Sequence, residues 1–447
     1  MNIATWLAGS STGMRRLFAI FVTGVVATIA VAIVGFGHAA PARPTYFQDV
    51  KPILDSRCAG CHYAGGIAPF KLTGYLDAYR HRLEIAGAVR SRAMPPWHAD
   101  SRLRRYLYDP TLTNDQITTL VRWAGRRGPR GDASRPGPAL PSVAPRLSRV
   151  DLRIPMSKPY TPQRRASGDD YRCFLLPWVP DRARYLTGFN LRPGQRRQVH
   201  HIIVYLAPAE DARTVELWER QDARPGYDCY GGPSATGQQS FGFQFLSGWV
   251  PGSFGTDFAA GTGIRIAPGS RLVMQVHYNL ESRKRVRADR SVVELKLDDA
   301  VQRRAAYAPL VDPNWLIYTP SFRIPAKRKR ISHSFVIEPR EFFRLTTGLN
   351  LSNGFTIHSL LLHMHRLGRN GEVAVLRASA GREVLLRVPR WEFNWQREYH
   401  LGSSVALAPG DRLSLRCEHA NPTSRARTWG EDSSDEMCIS FLYVSER

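Results

Sequence analysis

From about residue 150 onward, apolar and polar positions alternate in short runs. They are RQVHHIIVYLA (197–207), RLVMQVHYNL (271–280), FTIHSLLLHMH (355–365), EVAVLRASA (372–380), RLSLRCEHA (412–420) and CISFLYV (438–444). A period of two puts successive side chains on opposite faces of a strand. Pro-Gly, Asn-Gly and Asp-rich turns bound the runs, so this part of the chain is expected to be all-β. Its length suits two tandem antiparallel β-sandwich domains of jelly-roll type, over 150–300 and 301–447. The expected fold class is therefore mainly β.

Upstream the period changes. Phe47–Arg57 (FQDVKPILDSR) reads as a short amphipathic helix. Thr113-Asn114-Asp115-Gln116 reads as a capping box opening a helix whose apolar side carries Ile117, Leu120, Val121 and Trp123. A small all-α domain over 43–130 is expected. Gly128–Pro145 (GPRGDASRPGPALPSVAP) has no hydrophobic period and is rich in Gly and Pro. The stretch 131–149 should therefore be a semi-rigid linker.

The N-terminus and the charge balance bear on location. Arg15-Arg16 precede an uncharged apolar run, Leu17–Gly37, and Ala40-Pro41-Ala42 fits an A-x-A cleavage pattern. Residues 1–42 are expected to be an export signal, or a retained anchor through 17–37, since the run is long enough to span a bilayer. The chain is thus expected to be periplasmic or otherwise extracytoplasmic. It carries 62 Lys+Arg against 38 Asp+Glu, and residues 1–42 hold only two of those basic residues. For an exported chain such a surplus points to an anionic membrane surface or an acidic redox partner, and not to nucleic acid.

Cys58-Ala59-Gly60-Cys61-His62 is the c-type haem attachment pattern. Two thiols at this spacing can add to the two vinyl groups of one porphyrin, and the adjacent histidine can ligate its iron. Met94, in Arg92-Ala93-Met94-Pro95-Pro96-Trp97, is the candidate sixth ligand, with His81 and His98 as alternatives. The stretch 43–130 resembles the class I cytochrome c fold. Cys173, Cys229, Cys417 and Cys438 remain, an even number, so two disulfides are expected in an oxidising compartment.

Histidines recur on the predicted strands. His363 and His365 are two apart and share a face, whereas His358 should face away unless a bulge intervenes. His277 shares a face with Val273 and Gln275. His200 and His201 are adjacent and nominally point to opposite faces, so both reach one ion only if the backbone is irregular there. Met437 sits beside Cys438. Imidazole and thioether donors suit copper, although a zinc site can also be built from histidines.

The segments HHIIVY, MQVHYN, HMHRLGR and DEMC, in this order, resemble the signature segments of the copper type II, ascorbate-dependent monooxygenases. The likeness runs over about residues 150–446. It implies that His200, His201 and His277 hold an electron-storing copper. His363, His365 and Met437 would hold the catalytic copper that meets O₂. It also implies the disulfides Cys173–Cys229 and Cys417–Cys438. The activity implied is O₂-dependent hydroxylation of a C–H bond in an organic substrate with two coppers as cofactors, to which the Cys58–His62 motif adds one covalent haem c. Electrons would pass from the haem to the His₃ copper and on to the His₂Met copper. An ascorbate-like reductant or a redox protein would be the outside donor. Leu361 and Phe441 stand where the peptide-hydroxylating members carry a carboxylate clamp, which implies an uncharged or aromatic substrate. A non-catalytic envelope protein that shuttles electrons or stores copper is the alternative.

Three further features complete the reading. Lys327–Arg330 is expected to be a solvated basic loop. Glu431-Asp432 and Asp435-Glu436 form an acidic patch beside Met437, and His333, His400 and His419 are expected to be structural.

Overall fold

The computed structural model describes residues 43–165, 168–236, 242–280 and 285–447. The run 17–37 and the A-x-A pattern at 40–42 lie outside the described residues. Among the described residues no helix is long and apolar enough to cross a membrane.

The alternating runs form strands in three sheets, and the molecule is mainly β. A five-stranded sheet has the order Tyr227–Asp228, Asp169–Leu175, Arg271–Asn279, Val199–Ala207, Gln244–Trp249. A four-stranded sheet has the order Arg328–Ile337, Arg412–Asn421, Gly368–Leu376, Arg382–Val388. The third sheet has nine strands and runs through both halves of the β region. Its path is Leu152–Pro155, Val292–Asp298, Arg184–Arg192, Thr262–Ile266, Arg303–Leu310, Ile439–Glu446, Phe355–His363, Glu398–Leu407, with Thr256–Asp257 paired to Arg184–Arg192. The two halves join where Arg303 and Arg304 pair in parallel with Thr262 and Gly263. Two separate antiparallel units were the expectation, and the alternation pattern carries no signal for this seam. It is a two-residue contact between strands that each satisfy the period on their own.

Apolar faces meet between sheets. Leu186, Phe189 and Leu191 of the large sheet share one buried cluster with Ile202, Val204, Met274 and Val276 of the five-stranded sheet. Leu360, Leu362 and Leu442 share another with Val373, Val375, Leu413 and Leu415 of the four-stranded sheet. The basic run Lys327–Arg330 is not a free loop. It opens the edge strand Arg328–Ile337, where Arg330 pairs with Glu418, and charge on an edge strand blocks further pairing.

The N-terminal part is helical. Tyr46–Val50 leads straight into Lys51–Arg57, followed by Tyr75–Arg80, Arg82–Arg90 and Asn114–Gly125. The capping box forms: the Gln116 amide donates to Thr113 Oγ1 at 3.2 Å and the Thr113 amide to Gln116 Oε1 at 3.0 Å. Val50, Leu54, Val89, Leu120 and Trp123 make the local core. The linker does not hang free. Gln48 Nε2 donates to the Asp132 carbonyl at 2.6 Å and the Ser56 hydroxyl to the Pro141 carbonyl at 2.5 Å, strapping it along the first helix.

A second attachment comes from residues 97–109. Trp97 packs on Tyr399 at 5.1 Å, and the Tyr106 hydroxyl donates to the Leu385 carbonyl at 3.0 Å. Ala99 and Tyr106 belong to the buried cluster of the C-terminal sheets. The helical part is therefore docked, and the sequence pattern alone had shown only a tether. Tyr106→Ala should lower stability to urea by roughly 3 kcal/mol, as large-to-small changes in a core do. A loss below about 0.5 kcal/mol, typical of a surface change, would mean the docking is superficial.

Candidate metal centres

The two adjacent histidines reach one site because the strand carrying them is bulged. Val199 pairs with Tyr278 and His201 with His277, which leaves His200 as the extra residue between them. His200, His201 and His277 offer ring nitrogens that all lie within 4.8 Å of one another. His201 Nδ1 is 3.3 Å from His200 Nδ1 and 3.4 Å from His277 Nδ1. Two imidazole ligands at about 2.0–2.1 Å from a tetrahedral ion would be separated by about 3.3 Å, so the spacing fits a metal. The tautomer fits as well. His277 Nε2 is 2.9 Å from Asp169 Oδ1, which places its proton there and turns the Nδ1 lone pair toward the cluster. Tyr171 stacks on His277 at 4.1 Å. Burial holds His200 down to about 4 and His201 and His277 well below the usual histidine range, so all three stand neutral, the form that binds metal. Asp169→Asn should weaken metal binding about 10–100-fold, the usual effect of losing an outer carboxylate. Titration against a chelator reads this out.

The second set comes from two strands of the large sheet. His363 ends the strand Phe355–His363 and Met437 precedes Ile439–Glu446, which pairs with it through His363 and Ile439. His363 Nδ1 donates to Gln396 Oε1 at 2.5 Å, and Gln396 Nε2 donates to the Phe393 carbonyl at 3.1 Å, which fixes the amide orientation. His365 Nδ1 lies 3.3 Å from the Asp435 carbonyl. Both rings therefore keep Nε2 as the free donor, with centroids 5.0 Å apart. Burial lowers His363, and holds His365 down to about 3. Met437 is buried, and the neighbouring Cys438 is tied to Cys417 by a disulfide. Cys173 is likewise tied to Cys229.

The two sets face a common space. His201, His363, His365 and Met437 all line a cavity of about 390 Å³. Leu361 and Phe441 are on its wall, with Phe441 stacked on Phe245 at 4.8 Å.

A second cavity, of about 260 Å³, is lined by Cys58, Cys61, His62 and Met94. Its far wall is His200, Phe393 and Gln396, residues that also serve the histidine sets. Phe393 stacks on His200 at 5.2 Å and meets the His365 ring at 6.3 Å. His62 Nδ1 is 2.9 Å from the Phe70 carbonyl, leaving Nε2 as its lone-pair donor. Cys58 and Cys61 form no disulfide. Of the three candidate partners for His62, Met94 lines this cavity. His81 stacks on Phe70 at 3.8 Å, and His98 is half-buried with its Nδ1 unpartnered.

The remaining histidines divide. His358 does not line the cavity, although a bulge between Ile357 and Ser359 puts it on the His363 side of the strand; it lies between the hydroxyls of Ser404 and Ser445, at 2.8 and 2.9 Å. His333 stacks on Phe322 at 4.1 Å. His419 holds Glu436 at 3.2 Å, while His400 lines the large cavity. Asp169, Phe393 and Gln396 were not singled out from the sequence, and Glu436 only as part of an acidic patch. A carboxylate or amide that orients a ligand has no spacing rule of its own, and only the fold brings it near.

The chain is similar to DBH-like monooxygenase protein 1 of Mus musculus, 22% identical over 316 residues, or 68% of this chain and 48% of that protein. It is similar to dopamine beta-hydroxylase of Rattus norvegicus, 24% identical over 258 residues, or 55% of this chain and 40% of that one. To DBH-like monooxygenase protein 1 of Gallus gallus it is 32% identical over 102 residues, 22% of this chain and 16% of that protein. The chain spans about half the length of these relatives, or less. Residues 315–446, which hold His363, His365 and Met437, match the C-terminal domain of the copper type II ascorbate-dependent monooxygenases.

Proposed function

We propose that this chain is an exported copper-dependent monooxygenase with a covalently attached haem c, and that it hydroxylates a C–H bond of an organic substrate with O₂. The observation that carries the reading is that His201 of one imidazole set and His363, His365 and Met437 of the other line one cavity, while His200 lines a neighbouring cavity that holds the Cys58/Cys61/His62 motif. The β region would be two tandem sandwiches sharing a sheet, and residues 43–130 a cytochrome c-like domain. His200, His201 and His277 would hold one copper, and His363, His365 and Met437 the other. Cys58 and Cys61 would carry the haem, with His62 and Met94 as its axial ligands.

When bound, these groups supply one-electron redox chemistry and activation of O₂. The overall conversion is C–H + O₂ + 2 e⁻ + 2 H⁺ → C–OH + H₂O. The electrons come ultimately from an ascorbate-like reductant or a redox protein. The protein's own part is to orient and to exclude water. Asp169, Gln396 and the Asp435 carbonyl set the histidine tautomers, and Leu361, Phe245 and Phe441 give the substrate an apolar wall. The thioether of Met437 favours the reduced state of copper, while three imidazoles tolerate both states.

Metal and haem analysis of the purified full chain tests the reading. It should give two coppers and one haem per chain, with the haem resisting acid–acetone extraction and lost in the Cys58→Ala/Cys61→Ala variant. One copper or none, or a haem that extracts freely, would overturn it.

A further inference from the structure

Four charged side chains other than histidine line the large cavity: Arg57, Arg397, Glu398 and Glu431. The two acids are accounted for. Both oxygens of Glu398 accept from the Tyr307 hydroxyl, at 2.9 and 3.0 Å, and the Ser359 hydroxyl donates to it as well. Glu431 is pushed up to about 7 by burial and by Asp432 and Asp435, so it is largely neutral below that pH.

The guanidinium groups have no such partners. Arg397 donates to the Gly252 carbonyl at 3.4 Å and lies 5.4 Å from the centre of the Trp97 ring; among the described residues no carboxylate is within ion-pair distance of it. Arg57 donates to the Asp109 carbonyl at 3.2 Å and leaves its buried Nε unpartnered. The Asp109 carboxylate, whose field reaches Arg397, accepts from the Ser101 hydroxyl at 2.6 Å and the Thr111 amide at 2.8 Å. A desolvated cation without an anion is costly. A planar fork open to a cavity matches a carboxylate.

We propose that Arg397, helped by Arg57, anchors the carboxylate of an aromatic or otherwise apolar acid whose body lies along Leu361, Phe245 and Phe441. Leu361 and Phe441 by themselves imply an uncharged substrate, but these two arginines, from other elements, give the same cavity a positive end. A haem propionate is the other carboxylate that could come near. The field of Arg397 acts on Cys61, however, and the thioether edge of a c-type haem is opposite its propionate edge. The inference rests on the monooxygenase reading only in taking this cavity as the substrate site.

Calorimetric titration of the copper- and haem-loaded full chain tests it, with 3-phenylpropionate and 3-phenylpropanamide as probes. The acid should bind at least tenfold more tightly than the amide. Arg397→Gln should erase that preference, and Arg397→Lys should keep part of it. Equal affinities, no binding of either probe, or an acid preference that survives Arg397→Gln would overturn the proposal. If that surviving preference came with a shifted haem potential, Arg397 would belong to a propionate. An acid preference in protein that holds no copper would leave the anchor standing while the monooxygenase reading fails.

Discussion

Replacing Glu436 by alanine is expected to destabilise the protein by about 3–5 kcal/mol, the range seen when one partner of a buried charged network is removed. Glu436 is fully buried. Its Oε2 accepts from the His365 amide at 3.1 Å, its Oε1 from the Leu367 amide at 2.9 Å, and His419 Nε2 lies 3.2 Å from Oε2. Alanine would strand these donors without water, each at about 1–3 kcal/mol. The carboxylate also ties the backbone of His365 to the residue preceding Met437, so the variant should lose copper from this site as well as stability. Urea unfolding and metal analysis read the two effects. Glu436→Gln should fall between, because its amide can still accept from one donor. A loss below 1 kcal/mol in the alanine variant would mean the carboxylate is not holding this turn.

The second large effect concerns His277. His277→Ala should leave one copper per chain instead of the two proposed for the native protein, with affinity at the damaged site reduced by more than the 10–100-fold cost of losing an outer partner. The ring supplies one of the converging Nδ1 atoms, and it is clamped between Tyr171 and Asp169. No other imidazole can take its place, since His200 and His201 are already committed by the bulge. The copper at His363, His365 and Met437 should remain, because those side chains are oriented by Gln396 and the Asp435 carbonyl. Retention of both coppers would contradict the assignment of the triad.

The strands and the histidines on them were legible in the sequence because a period of two is a local property. Counting residues put His358 and His363 on opposite faces, but a bulge between Ile357 and Ser359 breaks the count: Phe355, Ile357, Leu360 and Leu362 share the buried face, and His358 falls on the side of His363. His200 was not legible in the same way. Two adjacent histidines on a regular strand diverge, and only a bulge, set by pairing with Arg271–Asn279, turns both inward. The docking of Trp97 and Tyr106 on the C-terminal sheets was also hidden. Trp97 follows Met94 by three residues and reads as part of the same loop, yet it packs against Tyr399, more than 300 residues away in sequence. The residues around Phe393 show the same limit. FNWQ carries no motif, but its position between the two cavities makes Phe393 neighbour to His200 and His365 together.

If the Cys58–His62 motif and the two imidazole sets form one redox unit, an electron placed on the haem must reach copper. Anaerobic flash reduction of the haem in the copper(II)-loaded full chain tests it most directly, with haem absorbance and the copper(II) resonance signal followed together. The haem is expected to reoxidise while one copper(II) is lost per haem, and copper-free protein is expected to keep its haem reduced. A haem that stays reduced in the copper-loaded chain, with the copper(II) signal intact, would contradict it.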